Sequence, residues 1–228
     1  MSCIIFRINC SIIKGKRVIP MNQEGSQDPL YIFYRKLDRG KFIDGPSRCY
    51  AACDTALPIG FGQTISQPSL VYEMTRKLAL GKTHRVLEIG TGTGYQTAFL
   101  AEFAGEVYTV ERIAALSESA RMRLEAMGYR NVFYKVGDGS LGWEDHAPFD
   151  RIVVTAAAGE LPEPLLAQLK PGGRMVIPLG DPGVQDLCLV TRDTDGHAYS
   201  KVLEQVRFVE LVGRYGWRRE NPPPEDQW

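Results

Sequence analysis

From about Thr55 to Leu211 the apolar positions of this chain switch repeatedly between helical spacing and short strand-like runs. Leu70, Met74, Thr75 and Leu78 recur at helical spacing over Gln67 to Leu80, with Gly81 as a stop, which predicts a helix. Arg85-Val-Leu-Glu-Ile-Gly90 then reads as a short buried strand entering a glycine-rich turn, followed by a helix over Gln96 to Ala104. Val107 to Val110 is a second strand, ended by Glu111, and Ala114 to Met127 has helix-forming composition closed by Gly128. Further strands are expected at Val132 to Val136, Phe149 to Thr155 and, after a Pro171-Gly-Gly turn, Arg174 to Leu179, with a helix at Pro162 to Leu169. Strands alternating with helices imply a parallel sheet covered on both faces. Leu187 to Thr191 and Val202 to Val212 have no crossover helix between them and are expected to pair antiparallel at one edge. The predicted fold class is α/β: a Rossmann-like, doubly wound, mostly parallel sheet of about seven strands with an antiparallel edge.

Composition narrows the function classes. The 228 residues carry 27 Lys plus Arg against 27 Asp plus Glu, a formal charge of zero, which lacks the basic footprint of a nucleic-acid binder. No apolar run approaches the roughly 20 residues needed to cross a bilayer, so no membrane partner is expected. The five cysteines, at positions 3, 10, 49, 53 and 188, include no CxxC pair and no Cys/His set at zinc spacing, so no metal is expected and reduced thiols in a cytoplasm are. Within Met1 to Pro20, Arg7 and Asn9 interrupt what would be a secretory apolar core, and the segment reads instead as an extension ahead of Met21, leaving the sequon Asn9-Cys10-Ser11 accidental.

The chemistry is concentrated at Glu88-Ile-Gly90-Thr-Gly92-Thr-Gly94, where the first parallel strand meets its helix, the position at which open α/β sheets bind ligands. A dinucleotide fingerprint wants glycine at 95, where Tyr95 stands, and Glu88 would sit badly beside a pyrophosphate. A phosphate-binding loop ending in Gly81-Lys82-Thr83 lacks its earlier glycine, since position 76 is Arg76. The third reading is a cationic, phosphate-free cofactor such as S-adenosyl-L-methionine, whose ammonium group Glu88 can pair with. Glu111, about twenty residues beyond Gly90, is placed to accept ribose hydroxyls, and Asp138 in Gly137-Asp138-Gly139 to read an adenine amino group. Each carboxylate also has an ordinary reading, as a strand-end charge, a helix N-terminal residue or a turn former; three at the ends of three successive strands favour the ligand reading.

These residues resemble the class I methyltransferases and, more narrowly, the protein-L-isoaspartate O-methyltransferase family. The resemblance rests on Ala56-Leu-Pro-Ile-Gly60-Phe-Gly-Gln-Thr-Ile-Ser66-Gln-Pro68, on Val86 to Gln96, on Gly137-Asp-Gly139, on Phe149-Asp150 through Thr155-Ala-Ala157, and on Val206-Arg-Phe-Val209. It covers residues 42–213, leaving 1–41 as a poorly matched N-terminal extension and 214–228 as a tail. It implies methyl transfer from S-adenosyl-L-methionine to the free carboxylate of L-isoaspartyl residues, a step in protein repair. It also implies Ser66 as the functional serine, with Gly90, Gly92, Gly94 and Gly139 joining Glu88, Glu111 and Asp138 around the cofactor. Ile59, Gln63, Thr64 and Ile65 would meet the substrate, with Leu57 and Phe61 walling it and Leu211 to Gly213 closing the far edge. The backbone amides of a Thr64 to Ser66 turn would help Ser66 orient the carboxylate. Because that carboxylate is ionised at neutral pH, no general base is required, and His84, His146 and His197 are expected on the surface or in loops.

Ser66 also has a structural reading, as the N-cap of the helix that Pro68 opens. The chain departs from the family before residue 42, where the usual pair of helices is not evident, and at Cys53-Asp54, which replaces a tyrosine-plus-acid pattern. Alternatives are therefore a related enzyme methylating aspartate in a dedicated peptide, a noncatalytic S-adenosyl-L-methionine-binding module, and an NAD oxidoreductase. A repair enzyme must reach many flexible peptides, so a monomer with an open cleft is expected.

Overall fold

The structure, a computed structural model, describes residues 27–217. Cys3, Cys10, Met21, the Asn9 sequon and the tail beyond Trp217 lie outside them. The central strand is β3 (Arg85–Ile89), whose last four residues are buried. β4 (Glu106–Glu111) and β5 (Val132–Val136) lie to one side of it; β6 (Phe149–Val154), β7 (Leu169–Leu179), β8 (Gln185–Arg192) and β9 (Ala198–Val206) lie to the other. The order is β5-β4-β3-β6-β7-β8-β9, with parallel pairing as far as β7 and antiparallel pairing of β7, β8 and β9. This is the expected Rossmann-like sheet with its antiparallel edge.

Because side chains alternate along a strand, each buried strand feeds two cores. Val86, Val107, Val153 and Val176 face α2 (Pro68–Leu78) and α3 (Tyr95–Phe103), packing with Met74, Leu78 and Leu100. Leu87, Ile89, Val110, Ile152, Val154 and Ile177 face the other way, onto Phe149, Leu165 of α5 (Glu163–Ala167) and Leu211. α4 (Ala114–Ala126) buries Leu116, Ala120 and Leu124. A third core lies beside α2 and α3, where Phe42, Ile43, Leu57, Ile65, Tyr95 and Phe99 meet.

Three elements differ from the pattern in the sequence. The Pro171-Gly-Gly segment lies inside β7, bulged out between the pairs Phe149–Leu169 and Arg151–Arg174, and α5 accordingly stops at Ala167. The apolar run Val202 to Val212 is one stretch in sequence but two in space. β9 ends at Val206, and the chain then turns back so that Ala157 donates to the Val209 carbonyl (2.8 Å) and accepts from Leu211 N–H (2.7 Å). Before residue 42, where no usual pair of helices is evident in the sequence, the described residues form one α-helix, α1 (Pro29–Lys36), followed by a 3-10 turn at Arg39–Phe42. The Asp28 side chain caps α1 through Leu30 N–H (3.0 Å), and Phe33 meets Phe99 edge-on at 5.1 Å. Phe42 and Ile43, in a stretch that matches the family turn weakly, are 0% and 1% exposed, so the third core requires this segment.

Candidate active site

The carboxyl ends of β3, β4 and β6 converge on a half-open cleft. Its floor is the glycine turn. Gly90 stands at φ +93°, and a Cβ there would lie 2.3 Å from Thr155 Oγ1. Glycine is therefore required twice over, by backbone angle and by space. The Thr155 hydroxyl donates to the carbonyls of Gly90 (2.7 Å) and Ile89 (3.0 Å), tying the end of β6 to the turn. Gly139 is held against β3, since a Cβ there would meet Ile89 Cγ2 at 2.5 Å.

Glu111 closes β4 at the cleft wall, 7% exposed. Its Oε2 accepts from Gly92 N–H (2.9 Å) and its Oε1 from Ile113 N–H (3.0 Å), which aims the carboxylate and leaves each oxygen a further lone pair. Gly90, Gly92, Glu111 and Gly139 line the cleft together, and so do Gln63 and Thr64.

The last two come from a two-stranded ribbon, β1 (Leu57–Gly60) paired antiparallel with β2 (Gln63–Ile65). The expected Thr64 to Ser66 turn is thus corrected: the turn is at Gly60-Phe61-Gly62, all three at positive φ, and Thr64 and Ile65 are strand residues. The pleat then sends Ile65 inward, 4% exposed in the third core, so it is a packing residue rather than a substrate contact. Ile59 remains at the cleft side, 4.0 Å from where a Gly92 Cβ would stand.

Ser66 follows β2 directly and is half-buried. It is not a helix cap: the N-cap position is Gln67, and the first turn is capped by Asp54, whose Oδ1 accepts from Ser69 N–H (2.9 Å) and Oδ2 from the Ser69 hydroxyl (2.7 Å). Asp54, in the stretch that departs from the family pattern, thereby does the work the N-cap reading gave to Ser66, whose hydroxyl is spared for other use.

Three expected cofactor residues are placed differently. Glu88 is fully buried under the turn, where its Oε2 accepts from the hydroxyls of Thr97 (2.6 Å) and Thr109 (2.7 Å). Burial pushes its carboxyl up to about 8, against the opposing pull of those two hydroxyls, so it is a neutral acid at neutral pH. The expected pairing of Glu88 with an ammonium group is therefore replaced by support of the turn from beneath. Asp138 has its Oδ1 taken by Ser140 N–H (2.8 Å) and Ser140 hydroxyl (2.7 Å), and its Oδ2 by Arg214 N–H (2.8 Å). It latches the C-terminal segment, whose Leu211 and Val212 wall the cleft, and its Oδ2, with one donor, keeps a further lone pair. Gly94 is the αL N-cap of α3, packed towards Leu124. Thr155, Arg112 and Leu116, which carry no role in the sequence motifs, also line the cleft. Thr155 follows β6 as Gly90 follows β3, and that equivalence at the switch point is the signal that would have found it.

The family profile described as protein-L-isoaspartate(D-aspartate) O-methyltransferase (PCMT) matches residues 15–216. The chain belongs to this family. It is 54% identical over 183 residues to the protein-L-isoaspartate O-methyltransferase of Dictyoglomus thermophilum, covering 80% of this chain and 83% of that one. It is 48% identical over 205 residues to that of Magnetococcus marinus, covering 90% of each. A solved protein-L-isoaspartate O-methyltransferase superposes with a TM-score of 0.75 at 30% identity, over 85% of this chain; the match spans 64% of that longer chain. A Plasmodium falciparum chain assigned to the same family, solved in complex with S-adenosyl-L-homocysteine, superposes with a TM-score of 0.68 at 26% identity, over 81% of this chain and 90% of that one. The match begins at residue 15, so α1 and the Phe42 turn, which belong to the packed core of this PCMT family member, fall within it. Among the described residues no helix is long and apolar enough to cross a membrane.

Proposed function

We propose that the chain transfers the methyl group of S-adenosyl-L-methionine to the free carboxylate of L-isoaspartyl residues in damaged proteins and peptides. The observation that carries this reading is that Gln63 and Thr64 of the ribbon wall the same cleft as the glycine turn and Glu111, so substrate-side and cofactor-side motifs meet at one place. The donor set fits the cofactor: Glu111 retains lone pairs for ribose hydroxyls, Gly90, Gly92 and Gly139 offer backbone without Cβ atoms, and Ile89, Val110 and Leu116 are apolar surface for a base. When bound, the cofactor supplies an electrophilic methyl on a sulfonium.

The protein's task is then orientation. A carboxylate with a pKa near 4 is already a nucleophile at neutral pH, so nothing in the cleft need take a proton, and none of the three histidines lines it. Ser66 holds the carboxylate by a neutral hydroxyl, which directs it without quenching its negative charge as Arg or Lys would. Positioning of this kind is worth roughly 7–11 kcal/mol of barrier at its upper end. Leu211 and Val212 exclude water from one side. We place the enzyme in the cytoplasm, a reading supported by the thiols of Cys49 and Cys188, neither in a disulfide, and we read it as a monomer because a repair enzyme must reach many flexible peptides.

The test is methyl transfer from labelled S-adenosyl-L-methionine to matched peptides carrying isoaspartate, aspartate or asparagine at one position. Transfer to the isoaspartyl peptide alone is expected. Transfer to the aspartyl peptide instead would favour an enzyme of a dedicated aspartate, and cofactor binding without transfer would favour a noncatalytic module.

A further inference from the structure

Arg39 belongs to none of the motifs, yet its side chain makes five hydrogen bonds, two of them to the carbonyls that flank the Ser66 Cα, directly after the ribbon residues Gln63 and Thr64 that wall the cleft. The residue is 4% exposed, and its guanidinium donates to five backbone carbonyls: Nη1 to Ala51 (3.3 Å) and Cys53 (3.0 Å), Nη2 to Thr55 (2.8 Å), Ile65 (3.3 Å) and Ser66 (3.0 Å). The nearby carboxylate, Asp54, is committed to Ser69. A buried cation solvated by carbonyls is costly to keep, and burial accordingly lowers its proton affinity.

The acceptors show what the cost secures. Three bonds gather the loop over residues 51–55. The other two fall on the consecutive carbonyls on either side of the Ser66 Cα, and both go to one nitrogen. Holding both carbonyls fixes the two peptide planes that flank Ser66, and with them the direction of its Cα–Cβ bond. In a trans peptide the N–H lies opposite the carbonyl, so the Ile65 carbonyl drawn to Arg39 turns the Ser66 N–H away from the guanidinium. A lysine ammonium, with three donors on one point, cannot span this set.

We propose that Arg39 is a positioning residue for methyl transfer, setting the Ser66 hydroxyl and N–H towards the substrate carboxylate through the carbonyls of Ile65 and Ser66. This rests on the reading that Ser66 orients that carboxylate. Arg39 also borders an open groove lined by Tyr34, Arg35, Arg48, Cys49, Pro68 and Tyr95, and its Nε is without a partner among the described residues. A small guanidine can therefore reach the site from outside.

The experiment compares the full chain with Arg39→Lys, Ser66→Ala and the double variant on an isoaspartyl peptide, measuring kcat, KM and, by calorimetry, affinity for S-adenosyl-L-homocysteine. Arg39→Lys is expected to lower kcat about 10- to 100-fold, the scale of a small misplacement, with nucleotide affinity kept within about twofold. In the Ser66→Ala background the same change should alter kcat by less than about twofold, because the group being positioned is gone. Wild-type kcat in Arg39→Lys, losses that multiply in the double variant, or affinity falling in step with kcat would each overturn the proposal. Wild-type kcat in Ser66→Ala alone would instead overturn the reading of Ser66, and the proposal with it. Should Arg39→Lys not fold, Arg39→Gly is assayed with added methylguanidinium or methylammonium. Recovery of kcat with the first alone supports the role; recovery with both or neither overturns it.

Discussion

Replacing Glu88 by glutamine removes a single titration from the centre of the molecule and makes its contribution to stability measurable. In the native state burial raises the carboxyl from its ordinary 4.5 to about 8, whereas in the unfolded chain it titrates at the ordinary value. Between those values the native state holds one proton more than the unfolded state, so stability falls as pH rises. Over roughly three to four pH units, at about 1.4 kcal/mol per unit, the loss amounts to about 5 kcal/mol, complete once pH passes the native value. Glutamine keeps an oxygen for the Thr97 and Thr109 hydroxyls and places an amide where Glu88 Oε1 is already without a partner among the described residues. Glu88→Gln should therefore match the parent protein within about 1 kcal/mol near pH 4 to 5 and exceed its stability by about 5 kcal/mol near pH 9. Urea unfolding at both pH values, with unchanged slopes, reads the difference while other titrating groups cancel. A gap that is the same at both pH values, or a parent that gains on the variant as pH rises, would refute the neutral-acid assignment and restore Glu88 as a charged site residue.

Two further outcomes follow from the cleft. Glu111→Gln removes the charge that aims at Gly92 and at any hydroxyl beside it, and should weaken S-adenosyl-L-homocysteine binding in calorimetry by about 1.5–3 kcal/mol; unchanged affinity would remove Glu111 from the site. Asp138→Ala strips the acceptor from the Ser140 and Arg214 amides and should cost about 1–3 kcal/mol for each left buried and unpaired, read in urea; an unchanged midpoint would mean that the C-terminal segment is held by the Ala157 pairing alone.

How much of this was legible in the sequence follows the range over which each feature is decided. Strand and helix spacing is a local property, and from it came the five parallel strands, the antiparallel edge and the glycine turn at the switch point. Gly90 was legible as a turn glycine at the switch point, and Glu111 as the carboxylate ending β4, because these roles depend on the turn in which they stand. The fate of the other carboxylates depended on neighbours distant in sequence. Thr97 and Thr109 take Glu88 out of reach of solvent, and Arg214 takes one oxygen of Asp138 from 76 residues away. The sequence also showed Ile65 only as a member of a motif, whereas the ribbon's pleat turned it into the core. Arg39 carried no sequence signal at all, since its acceptors are carbonyls, which every residue possesses. Local patterning therefore determined the sheet and where on it a ligand binds. Tertiary packing alone decided which polar groups reach the ligand, because burial, and the hydrogen bonds that compensate it, are set by residues that meet only once the chain has folded.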